Sequence, residues 1–245
     1  MSVIVYDDET IEDLQLDGLR LIQKKNAFRF GMDSVLLAHF ADIRENTVVA
    51  DFGTGNGILI LLLKGRKKGN FYYAIDIQEE AVELAARNFH LNNMEECVRI
   101  IHADVINAKE YTGFCTCDAV ICNPPYGHSD ATLTSPYRNI AKARTQDAET
   151  LNHFLKGAYL ILKGKGRIFL VYPAQHMLYL MKKLQDHHLE PKRFRLVYPS
   201  FDKSANLVLI EAVKDAKPTL HPQPPLIIYE KDRSLTNELK SIYHI

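Results

Sequence analysis

Two short stretches hold residues whose types and spacing can do chemistry. In VICNPPYGHS, residues 120–129, an apolar run stops at Asn123 and is followed by Pro124, Pro125 and Tyr126. Two consecutive prolines fix φ and cannot donate to a sheet, so the strand ends at Asn123 and a stiff, extended turn follows. The turn is expected to offer the Asn123 side-chain oxygen and the Pro124 carbonyl as acceptors to a ligand, with the flat Tyr126 ring beyond them. His128 reads as a polar loop residue. In DFGTGNGI, residues 51–58, Asp51 precedes a loop of Gly53, Gly55, Asn56 and Gly57. A glycine loop between a strand and a helix is where open α/β sheets bind ligands. The dinucleotide spacing G-x-G-x-x-G is broken here, and a carboxylate at Asp51 is poorly placed beside a pyrophosphate. A ligand with a cationic end suits it better.

Two further acids follow at strand ends. Asp76, with Ile77 after it, stands where a carboxylate accepts from both hydroxyls of a ribose. Asp104, followed by Val105, can accept from an adenine amine while the Val105 amide donates to the ring. Loop and acids together describe an adenosine with no phosphate at its other end, and S-adenosylmethionine meets that description. An exocyclic or amide nitrogen is a poor nucleophile because its lone pair is delocalised. Oxygens of Asn123 and Pro124 that accept from its NH2 would position it and stabilise the positive charge that develops during methyl transfer. Tyr126 would stack on a base taken out of its helix, which is worth about 1–3 kcal/mol.

These residues need a scaffold that brings strand ends together. Apolar runs TVVADF, FYYAIDI, CVRII, DAVICN and GRIFLVYP alternate with helical patterns such as QEEAVELAARNFHLNN and a helix around 147–162. Nearly continuous apolar strands separated by helices predict a parallel sheet covered on both faces. The fold class is α/β: a Rossmann-like, doubly wound, mostly parallel seven-stranded sheet. KRFRLVYPSF and ANLVLIEAVK, with no helix between them, predict an antiparallel pair closing its edge. The expected domains are an N-terminal extension over 1–46 packed on the core, a catalytic domain over 47–217, and a proline-rich tail over 218–245 lying on the surface.

The 245 residues, 47% hydrophobic, suffice for one sizeable core. Lys and Arg total 30, as do Asp and Glu, so the net charge argues neither for nor against a polyanionic partner. Residues 1–17 hold six acids and no Lys or Arg, and a basic segment follows. The chain shows no basic leader with a long apolar stretch, and its longest apolar run is too short to span a bilayer; a cytoplasmic protein without membrane contact is expected. Cys97, Cys115, Cys117 and Cys122 lack C-x-x-C spacing, so no metal site is expected, and reduced, mostly buried thiols are.

On these motifs the chain resembles the class I S-adenosylmethionine-dependent methyltransferases, and among them the bacterial tRNA1(Val) (adenine-N6)-methyltransferase family. The likeness runs from GLRLIQKKNAFRFGMDSVLLAHFA through DFGTGNGI, AIDIQ, HADV, CNPPYGHS and KARTQDAETL to PLIIY. It implies methylation of the adenine 3′ of the tRNA anticodon, with Phe30 and Asp33 at the donor's methionine end. Arg29, Arg138, Lys142 and Arg144 would contact RNA phosphates, which position a substrate without reading its sequence. The oligomeric state is left open.

Three alternatives stand beside that reading. Asn-Pro-Pro-Tyr also serves enzymes that methylate a release-factor glutamine, but those are expected to carry a helical domain ahead of the core, and only 46 residues precede TVVADF. Guanine N2 methylation of ribosomal RNA would use the same turn. A non-catalytic RNA- or nucleotide-binding module would be expected to show a basic stripe, which is absent.

Overall fold

The computed structural model describes residues 3–25, 31–124 and 138–244, with 138–148 as helical backbone alone. Arg29, Phe30, Pro125, Tyr126 and His128, and the side chains of Arg138, Lys142 and Arg144, lie outside the described set. The chain opens with an antiparallel hairpin of β1 (Glu9–Asp13) and β2 (Arg20–Lys24), then α1 (Met32–Phe40). The alternation follows as β3 (Val48–Phe52), α2 (Ile58–Gly65), β4 (Phe71–Asp76), α3 (Glu79–Leu91), β5 (Val98–His102), α4 (Ala108–Thr112) and β6 (Cys117–Cys122). Next are α5 (Arg138–Ile161), β7 (Leu162–Pro173), α6 (Met177–Asp186), β8 (Leu189–Ser200), β9 (Leu207–Lys214), β10 (His221–Pro222), β11 (Leu226–Tyr229) and α7 (Asn237–Tyr243).

The main sheet runs β10-β8-β9-β7-β6-β3-β4-β5, with β11 also on β8. Strands β7, β6, β3, β4 and β5 are mutually parallel, and β9 runs antiparallel to both β7 and β8. From β3 the chain winds outward through β4 to β5 and then returns to β6 on the other side of β3. That reversal is the switch point at which doubly wound sheets bind ligands. Period-two alternation splits each apolar strand between two cores. Val49, Ala119, Ile121 and Phe169 face α1 and α2, while Ala50, Val120, Cys122 and Leu170 face α5.

The terminal segment departs from the expected surface tail. The antiparallel β8–β9 pair lies toward the edge as expected, and β10 and β11 pair parallel to β8 outside it, so two short strands extend the sheet beyond the expected seven. Leu226, Ile228, Leu239 and Ile242 are buried in the core on the α1 side. Alternate apolar positions in LIIY and an i, i+3 pair in α7 supply that buried face, which the proline content of the preceding residues obscures. The four thiols are free; Cys117 and Cys122 are buried, but Cys115 is exposed, in a turn at φ 53° just ahead of β6.

The hairpin is fastened to the sheet through α3. Asn88, fully buried, accepts the Ile22 amide at 2.6 Å and donates to the Ile22 carbonyl and to Asn56 O, both at 2.9 Å. One turn on, Asn92 does the same for the amide and carbonyl of Arg20. Arg87 adds a two-pronged pair with buried Glu9, both contacts at 2.7 Å, which holds that carboxyl below its usual range. Asn88→Ala strands the Ile22 amide without a partner; urea denaturation should show a loss of about 2–3 kcal/mol, whereas a change under about 0.5 kcal/mol would mean the hairpin is held elsewhere.

Candidate active site

The glycine loop is a backbone device. Gly53, Gly55 and Gly57 have φ of 71°, 56° and 83°, the left-handed region that side chains disfavour. At Gly57 a Cβ would also fall 2.7 Å from Cζ of Phe89, and at Gly53 it would sit 3.3 Å from Cζ of Phe154. At Gly55 a Cβ would meet nothing within 4 Å, so this glycine faces open space. The loop is tied back to β4, since the Gly53 and Thr54 amides donate to the Ile75 carbonyl at 2.9 and 3.1 Å. Asn56 is held by Asn88, and Gly57 caps α2 with backbone alone.

Asp51 ends up fully buried beneath this loop. Its Oδ2 accepts from the Thr54 hydroxyl at 2.8 Å, while Oδ1 is buried with no hydrogen-bond partner. Burial pushes the carboxyl up to about 7; the Thr54 bond opposes the shift and the Asp76 charge adds to it. A buried acid with one unused oxygen is a receptor for a cation or an ammonium group. This orphan oxygen and the open side of Gly55 fit the amino and backbone end of the expected donor.

Asp76, at the end of β4, is fixed by two backbone amides, Gly55 N on Oδ2 at 2.9 Å and Gln78 N on Oδ1 at 3.0 Å. Each oxygen keeps a lone pair for a hydroxyl. Beside it Ile77 is 61% exposed, an apolar surface next to the carboxylate. Asp104 caps the turn Val105–Asn107 through Oδ1, which accepts the Ile106 amide at 3.1 Å, and Oδ2 meets His153 Nδ1 at 3.1 Å. Val105, the first residue of that turn, is buried.

Strand register brings the second motif to the first. Phe52 pairs with Cys122, so Asn123 continues β6 alongside the start of the glycine loop, with Pro124 buried next to it. The sheet thus assembles Asp51, Gly53, Gly55, Asn56, Gly57, Asp76, Ile77, Asp104, Val105, Asn123 and Pro124 along the carboxyl ends of four adjacent strands. Asp33 stands apart: it sits in the first turn of α1, where burial pushes its carboxyl up; burial first, and the Asp33 charge after it, also raise the Tyr243 phenol of α7. Among the described residues no side-chain hydrogen bond joins it to the loop.

Sequence reading missed Thr54, Asn88 and His153. Asn88 left a trace, being a polar residue in the apolar stripe of α3 formed by Ala81, Leu84 and Ala85. Thr54 and His153 left none. Among the described residues no cluster of three or more His, Cys, Asp or Glu is placed to hold a metal, and no helix is long and apolar enough to cross a membrane.

Residues 30–191 match the family model described as Methyltransferase small domain. A tRNA1(Val) (adenine(37)-N6)-methyltransferase from Flavobacteriaceae bacterium strain 3519-10 is 29% identical over 192 residues, 73% of this chain and 80% of that one. The protein of that name from Tolumonas auensis is 27% identical over 219 residues, 88% of each chain. Among solved structures, a predicted O-methyltransferase from Agrobacterium tumefaciens superposes with a TM-score of 0.68 at 22% identity, covering 87% of this chain and 96% of that one. M. jannaschii TYW2 in complex with AdoMet gives 0.57 at 17% identity over 87% and 89%.

The Asp51 carboxyl has a checkable consequence for the free protein. Its folded pKa of about 7 lies above the unfolded value near 3.9, so the native state holds a proton that the unfolded chain releases. The stability this gives is complete below about pH 4 and is lost as pH rises toward 7. From pH 5.5 to 7.0 the wild-type protein should lose about 1–2 kcal/mol relative to Asp51→Asn in urea titrations. Parallel pH profiles would place the proton elsewhere.

Proposed function

Because the chain belongs to the methyltransferase small domain family, we propose that it moves a methyl group from S-adenosylmethionine to the exocyclic N6 of an adenine in tRNA. The substrate assigned is the adenine 3′ of the anticodon of a valine tRNA. The observation that carries this reading is the meeting, at the β3/β6 switch point, of two half-sites: a cradle containing the orphan Asp51 oxygen and a strand end at Asn123. The names of the curated relatives support tRNA and adenine as the substrate.

In this reading Asp51 takes the donor's ammonium group, the loop backbone approaches its carboxylate, Asp76 holds the ribose and the Asp104–Val105 turn meets the adenine. S-adenosylmethionine supplies an electrophilic methyl group when bound. Asn123 and the Pro124 carbonyl accept from the substrate NH2, and Pro125 keeps the turn stiff. Tyr126 stacks on the base. No base would be required before transfer: as the nitrogen takes the methyl group the S–CH3 bond would break to leave a neutral thioether, and the cationic, acidic nitrogen would then lose its proton to water. Phe30 and Asp33 belong to the methionine end, and Arg29, Arg138, Lys142 and Arg144 to phosphate contact.

The test is nucleoside mass spectrometry of unmodified tRNA incubated with the protein and S-adenosylmethionine. N6-methyladenosine should form, mapping to the anticodon-adjacent adenine of valine tRNA. Asn123→Ala should lower turnover about a hundredfold or more while leaving S-adenosylhomocysteine affinity within about threefold. Methylation of guanine N2 or of a release-factor glutamine instead, or equal turnover by the variant, would overturn the assignment.

A further inference from the structure

His153 belongs to no motif, yet it touches the carboxylate assigned to the adenine. Its Nδ1 lies 3.1 Å from Asp104 Oδ2, and Asp104 Oδ1 is occupied by the Ile106 amide at the same distance. We propose that His153 is a positioning residue for donor selectivity: it sets the plane of the Asp104 carboxylate so that the site accepts a 6-amino purine and rejects a 6-oxo purine. This rests on the donor reading above.

The geometry assigns the proton. An ionised carboxylate only accepts, so Nδ1 of His153 is the donor, whether the ring is neutral or charged. Asp104 then has one oxygen committed to the turn it caps and one to the imidazole, leaving a single lone pair on each in a fixed direction. Without the imidazole, this half-exposed carboxylate retains only the Ile106 amide and can turn about its last torsion.

The helix that carries His153 is itself locked on the adenine turn. Gly157, one turn further along α5, lies so close that a Cβ there would fall 2.2 Å from the Val105 carbonyl oxygen. Residues four apart share a helix face, so His153 and Gly157 address the same turn. Phe154 packs edge-on against Phe52 with ring centroids 6.1 Å apart, fixing the helix to β3 as well. Backbone contact at Val105 and side-chain contact at Asp104 make the turn and His153 one rigid unit. A rigid acceptor pairs with an amine and repels a carbonyl oxygen, and an acceptor free to rotate discriminates less.

Calorimetric affinities for S-adenosylhomocysteine and S-inosylhomocysteine test this without turnover. His153→Phe keeps a ring and removes the donor, so it should lose about tenfold in adenosyl affinity and most of the adenosyl-over-inosyl preference. His153→Asn restores an N–H near the Nδ1 position and should stay within about threefold of wild type on both ligands. His153→Gln, whose amide reaches the other ring-nitrogen position, should behave like His153→Phe and serves if the phenylalanine variant fails to fold. An unchanged ligand preference in His153→Phe or His153→Gln would reduce His153 to a packing role. Wild-type protein that binds neither ligand would overturn the donor reading itself.

Discussion

A carboxylate withdrawn from water at the end of the central strand is the constraint around which the cleft is organised. Asp51 has one hydroxyl partner and one oxygen without any, in a place where solvent cannot reach it. A buried polar atom left unmatched costs stability, and such costs concentrate where a ligand completes the set. Neighbouring structure keeps the acid there: three left-handed glycines fold the loop over it, and the Ile75 carbonyl and Asp76 carboxylate hold that loop to β4.

From this centre the dependencies run outward. The loop stays in place because Asn88 grips Asn56, and Asn88 in turn secures the N-terminal hairpin through Ile22. The hairpin is therefore part of the wall behind the glycine loop, which links a segment outside the alternating β/α pattern to the proposed donor site. On the opposite face α5 approaches the Asp104 turn through Gly157, so each flank of the cleft is clamped by a helix packed closer than side chains ordinarily permit.

Local patterns made much of this legible. Continuous apolar runs located β3 to β7 because strands buried on both faces need no polar alternation. The glycine loop and Asn-Pro-Pro-Tyr were visible because backbone conformation forces particular residue types at fixed offsets. What escaped reading depends on pairs distant in sequence. Asn88 meets Ile22 across 66 positions, and His153 meets Asp104 across 49, so neither has a local signature. The terminal strands escaped for another reason: prolines at 222, 224 and 225 signal an interrupted backbone, whereas the burial of Leu226 and Ile228 follows from an exposed β8 edge that only the assembled sheet presents.

The most direct measurement is of protons exchanged when S-adenosylhomocysteine binds, obtained by calorimetry at pH 6.5 in buffers of differing ionisation enthalpy. If the ligand's ammonium group meets Asp51, a carboxyl that titrates at about 7 in the free protein ionises on binding, and about three-quarters of a proton is released. Asp51→Asn should bind with almost no release. Wild-type binding without proton release, or release that survives in Asp51→Asn, would contradict a cleft organised around this buried acid.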